Sequence, residues 1–153
     1  IYLNADGTIN RVVNNGSKYI TVVDTDGKGR LLSTYDFSES FFHSSRNDRN
    51  RKIVATVAAY YGKQVGVKHV GATSGDEGIA HFNSTDKGIW ISSVNSNGGV
   101  QLYFNNKYNL QNALIHEKFH RENNATGFND SSWTGHAEVY IKQANDNSFK
   151  KTI

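Results

Sequence analysis

Short apolar stretches alternate with polar, glycine-containing breaks through the first third of the chain. Residues 1–3 run into Asp6-Gly7, residues 9–13 into Asn14-Asn15-Gly16, and residues 19–24 into Asp26-Gly27-Lys28-Gly29. β-Branched and aromatic residues between Asn-Gly and Asp-Gly pairs predict strands joined by tight turns, so the chain opens on a small antiparallel meander. From Asp48 the period lengthens. Ile53, Val54, Val57, Ala58 and Tyr61 fall on one helical face, and Gly62 marks the end of a helix over 48–61. Residues 65–70, 78–82, 88–94 and 100–104 then read as further short strands between Gly, Ser, Asn and Asp clusters.

Two helical patterns follow. Asn109 is placed to cap the first, in which Leu110, Ala113 and Leu114 precede the segment His116-Glu117-Lys118-Phe119-His120, ending near Asn123-Asn124. After a loop with Gly127, Ala137, Tyr140, Ile141 and Ala144 predict a helix over 134–145 with those four residues on its buried face. The order of hairpins, helix, small sheet, helix and helix is that of an α+β fold, a sheet covered by helices on one face. Residues 1–36 are read as an N-terminal β-hairpin region packed on a main domain over 37–153.

Composition narrows the chemistry. At 153 residues the chain can bury a core without a disulfide or a structural metal, so a metal here would serve chemistry. The absence of cysteine excludes thiolate ligands, disulfides and a Cys nucleophile. Net charge is only +3, and the one basic run, Arg46 to Lys52, reads as a solvated approach to the first helix, so no nucleic-acid partner is expected. No apolar run approaches the length of a membrane span. The start at Ile1 lacks both an initiator Met and the pattern of a signal peptide, and is read as that of a mature product or of a piece of something longer.

The chemistry concentrates in residues 116–120. On a helix, positions i and i+4 lie one turn apart and nearly in line, so His116 and His120 aim their imidazoles at one point. Glu117, about 100° round the helix, is placed to touch a water on a metal held by the pair. Zinc lowers the pKa of such a water and a neighbouring carboxylate takes its proton, which is equipment for amide hydrolysis. His43, His69 and His81 stand alone in sequence and are read as surface or core histidines. The segment Gly71-Ala72-Thr73-Ser74-Gly75 is read as a loop, and Asp24 and Asp26 as part of a turn, since the Glu that would close a calcium loop is absent.

His-Glu-x-x-His after a short sheet, followed by a helix carrying a Glu, resembles the zincin metallopeptidases of the small gluzincin-like kind, over about residues 49–145. The resemblance implies a Zn2+ cofactor, Glu117 as catalytic base and a protein or peptide substrate held along a strand near the active helix, with 87–95 or 100–104 as the candidates. It implies Glu138 as third ligand, with 17 residues between it and His120. His136, with 15 between, and Asp130, with nine, are the alternatives, and His136 or Tyr140 is the candidate oxyanion stabiliser. Asn123 and Thr126 stand where a metzincin needs Gly and His, which excludes that class.

The opening stretch, residues 2–29, resembles the segment that introduces C-terminal toxin domains of bacterial polymorphic toxins, including Rhs-type ones. That likeness implies secretion or delivery into a target cell as part of a larger protein, and a cognate immunity protein as partner. A reading from another class also stands: a non-catalytic interaction domain with a structural or absent metal.

Overall fold

The computed structural model describes residues 1–25, 31–39, 47–73, 79–92 and 100–149. The expected turn at 26–29, Arg46, His43, and Ser74 and Gly75 of the expected loop lie outside them. The chain has an α+β fold of two small mixed sheets and three helices.

Strands β1 (Tyr2–Leu3), β2 (Ile9–Arg11), β3 (Thr21–Thr25) and β4 (Leu31–Asp36) form the first sheet, in the order β2-β1-β3-β4. Strand β1 pairs antiparallel with β2 but parallel with β3, so the region is not the expected meander. The departure arises at Asn14-Asn15-Gly16. Asn14 and Asn15 accept hydrogen bonds from the backbone N–H groups of Gly16 and Ser17, at 3.2 and 3.0 Å, and these local side-chain bonds replace a hairpin ladder. The chain then runs past the start of the helix that begins at Lys107, where Tyr19 bridges to Asn106 and the Ile20 N–H donates to the Asn105 carbonyl at 2.7 Å.

After a single 3-10 turn, Phe37–Glu39, comes helix α1 (Asn47–Gln64). It continues through Gly62 instead of stopping there, because that glycine serves close packing. A Cβ at Gly62 would meet Leu114 at 3.2 Å and the Val67 carbonyl at 3.3 Å. The reversal comes at Gly66, in the left-handed region with φ +76. The second sheet contains β5 (Val70–Thr73), β6 (Ala80–Phe82) and β7 (Ile89–Ser92), in the order β5-β7-β6. Gly71 to Thr73 is thus strand, not loop, and residues 102–105 form a 3-10 turn where a strand was expected.

Helix α2 (Lys107–Thr126) is capped by Asn106, whose side chain accepts the Tyr108 N–H, and not by Asn109, which lies in the first turn. It ends at Gly127, φ 77, where the Phe128 N–H returns to the Asn123 carbonyl. Helix α3 (Trp133–Asn145) starts from a Ser132 cap.

One core joins these parts. Leu3, Ile20, Val22 and Phe37 are buried with Ile53, Val54 and Val57 of α1, Ile89 and Ile91 of β7, and Leu110, Leu114 and Ile115 of α2. Buried Asp24 on β3 accepts both guanidinium N–H groups of Arg49 on α1, at 2.7 and 2.8 Å, a second tie between the first sheet and the helices. Asp24 is thereby assigned to this ion pair. Among the described residues, no helix is long and apolar enough to cross a membrane.

Candidate metal centre

Helix α2 buries Leu110, Leu114 and Ile115, which turns the half-buried face carrying His116, Glu117 and His120 toward α3 and β6. The Nε2 atoms of His116 and His120 approach to 3.2 Å, one turn apart on the same helix. His136 of α3 brings its own Nε2 to 3.2 Å from that of His116. The donor atoms of the three rings all lie within 4.8 Å of one another.

Helix α3 reaches this position by an unexpected face. Its buried residues are Gly135, Val139 and Gln143, spaced four apart, whereas Ala137, Tyr140, Ile141 and Ala144 are exposed. The docking stripe carries a single large apolar residue, Val139, between a glycine and a glutamine, so hydrophobic periodicity selects the opposite side. Gly135 is required by contact: a Cβ there would sit 2.4 Å from the Asn129 carbonyl oxygen and 2.7 Å from the Asp130 Cα. Gln143 reaches across to donate to the Asn112 carbonyl at 2.8 Å, and Lys118 pairs with Asp146 at 2.8 Å. This rotation points His136 inward. Glu138, about 200° further round the helix, stays 48% exposed, 4.0 Å from Lys142 and outside the histidine cluster. The structure therefore groups His136, and not the expected Glu138, with His116 and His120.

The hydrogen-bond partners of the two helix histidines specify which nitrogens face inward. The Gln143 amide N–H is committed to the Asn112 carbonyl, so its oxygen, 3.1 Å from His116 Nδ1, must accept, and His116 carries its proton on Nδ1. His120 Nδ1 lies 2.8 Å from the Asp130 carboxylate, which only accepts, so its proton is also on Nδ1. Both rings then present Nε2 lone pairs to each other at 3.2 Å. A proton on His136 relieves one such contact, whereas a cation among the rings satisfies all of them. Tetrahedral coordination at zinc–nitrogen distances places ligand nitrogens about 3.3 Å apart, so the donor set fits a divalent metal. Burial, reinforced by the neighbouring imidazoles, lowers the His116 pKa and favours the neutral ring that a ligand needs. Asp130, weighed as a ligand from sequence, lies at the outer edge of the His120 ring.

Glu117 sits beside the cluster, and its carboxylate accepts the backbone N–H of Phe82 on β6. Burial pushes its pKa up to about 7, the Phe82 bond opposes that rise, and the Asp130 charge adds to it. A cleft of about 550 Å³ opens here, lined by His81, Phe82, Glu117, His120, Phe128 and Asp130 among others. The Tyr140 ring, 59% exposed, lies 4.7 Å from that of His116 and 5.2 Å from that of His136. His69 stands at a positive-φ position before β5, away from the histidine cluster.

The strand beside the centre is β6, not either segment expected from sequence. β7, within 87–95, is central in its sheet, and residues 93–95 lie outside the described ones. Among the described residues β6 has no neighbour on its other edge. Bonds from Asn83 N–H to the Gly88 carbonyl and from Ser92 N–H to the Ile79 carbonyl flank the His81–Trp90 pair, so Ala80 and Phe82 direct their backbone groups away from β7. Phe82 spends its N–H on Glu117, which leaves the Ala80 N–H and the carbonyls of Ala80 and Phe82 along the edge. Sequence reasoning missed Gln143, Asn123 and Lys142, whose spacing carries no motif; Asp130 was visible only as a carboxylate after His120.

No curated protein and no solved structure matches the chain significantly. Comparison with known families matches residues 1–153 to Metallopeptidase toxin 2, and the chain belongs to that metallopeptidase toxin family.

Proposed function

We propose that this chain is a zinc peptidase domain in which His116, His120 and His136 hold the metal and Glu117 is the general base. The convergence of three Nε2 atoms beside a half-buried glutamate and a strand edge unpaired among the described residues carries the reading. Three imidazoles with no fourth protein donor among the described residues suit a catalytic zinc site, which keeps a position open. Glu138 has no part in this set.

When bound, zinc supplies Lewis acidity, making a water acidic enough to yield its proton near neutral pH and polarising the scissile carbonyl. Glu117 accepts the proton of the attacking water and later delivers it to the leaving amine nitrogen, held in place meanwhile by the Phe82 N–H. The Tyr140 hydroxyl, on a ring packed against His116 and His136, is the donor assigned to the developing oxyanion. An extended substrate adds to the free edge of β6 through the Ala80 N–H and carbonyl, which sets the scissile bond beside Glu117.

The substrate is a protein or peptide of a target cell, reached by delivery of this domain from a larger protein, and a cognate immunity protein restrains it. Family membership supports that setting. Glu117→Gln is the test. It should retain about one zinc per chain while cleavage of a peptide library falls 100-fold or more, on the order expected for loss of a general base. Wild-type cleavage by that variant rejects the mechanism.

A further inference from the structure

We propose that Asp130 is a positioning residue for the metal centre: it holds His120 in the Nδ1–H tautomer and ties that ring to the helix that supplies His136. This rests on the reading that the three histidines are the metal ligands.

Three connections place the carboxylate. Its Oδ2 accepts from His120 Nδ1 at 2.8 Å and from Asn123 Nδ2 at 3.1 Å. The Asn123 amide oxygen accepts in turn from Lys142 on α3, at 2.5 Å. The backbone at Asn129 and Asp130 is pressed against Gly135, next to His136, where only a hydrogen fits. Asp130 thus sits at a junction of α2, the intervening loop and α3, and a shift of any of them is felt at His120.

The chemistry of the pair is directional. An ionised carboxylate has no proton to give, so its partner nitrogen must be the protonated one, which leaves Nε2 as a lone pair toward the centre. The negative charge also raises the donor strength of that lone pair and offsets part of the charge of a dication held by the three rings. Gln143 performs the orienting part for His116 through a neutral amide. Of the two helix histidines, His120 is the one held by a charge, and its hold depends on α3 being docked.

The experiment uses the full chain. In the metal-free protein, long-range ¹H–¹⁵N correlation spectra of the imidazoles should show His120 protonated at Nδ1. Asp130→Ala should move that proton toward Nε2 and weaken zinc binding about 10- to 100-fold in competition with a chromophoric chelator. Asp130→Asn, which keeps an acceptor oxygen without the charge, should recover part of the affinity, with circular dichroism unchanged. A wild-type His120 protonated at Nε2, or an Asp130→Ala protein that binds zinc within about twofold of wild type, overturns the proposal. If the wild type binds no zinc, the functional reading fails, and the tautomer in the metal-free chain still decides the role of Asp130.

Discussion

His136 Nε2 lies 3.2 Å from His116 Nε2, although 20 positions separate the two residues in the chain. Glu138, two residues further on, is solvated on the other side of the same helix. His136→Ala should therefore lower zinc affinity by at least about 100-fold, more than loss of an orienting partner. Glu138→Ala should leave affinity and cleavage within about twofold. Chelator competition on both variants, with metal content by atomic emission, distinguishes the two assignments.

Gly135 is where α3 and the Asp130 loop touch, with no room for a methyl group. Gly135→Ala should cost about 1–3 kcal/mol of stability by overpacking. It should also weaken zinc binding, because the displaced groups are the neighbours of His136 and His120. Urea unfolding gives the first quantity and chelator competition the second. An alanine variant with wild-type affinity would show that the loop yields without moving either ligand.

Strand β6 turns the Ala80 N–H away from β7, toward the cleft edge. Proline is tolerated on an edge strand at a position whose N–H is not used by the sheet. Ala80→Pro should then leave the melting temperature nearly unchanged while kcat/KM falls roughly 3- to 10-fold, mostly through KM, as expected for one lost hydrogen bond to substrate. Unchanged steady-state kinetics would place the substrate elsewhere.

Asp24, 7% exposed, depends on Arg49 for compensation of its charge. Arg49→Ala should destabilise the chain by about 2 kcal/mol, less than a fully buried pair because Arg49 retains some solvent contact. Zinc affinity should stay at the wild-type value, since neither residue touches the metal centre. Because the first sheet and the helices share one core, unfolding of the variant should remain a single transition by both tryptophan fluorescence and circular dichroism.

Much of the α+β order was legible. Apolar periodicity located α1, α2 and α3, and the Asn-Gly and Asp-Gly pairs located breaks between strands. Where expectation and structure part, a local rule met a tertiary demand. Gly62 reads as a stop but lies inside α1, where the close approach of Leu114 and Val67 leaves a Cβ little room. Asn14 and Asn15 read as a hairpin turn, but their side chains cap their own backbone and send the strand to the parallel side of β1. Residues 87–95 read as one of two candidates for a substrate-holding strand, yet 89–92 became the centre of a sheet once β5 and β6 paired on either side.

The sequence by itself determined the pairing of His116 with His120 and the place of Glu117, because a helix fixes side-chain directions from spacing alone. Only the tertiary structure decided which third side chain joins them. The direction of His136 depends on how α3 is rotated about its axis, and that rotation is set by Gly135, Val139 and Gln143 meeting the Asn129–Asp130 backbone and α2. Shape and hydrogen bonding, not hydrophobicity, made that face the buried one, so a pattern of apolar residues pointed to the opposite side.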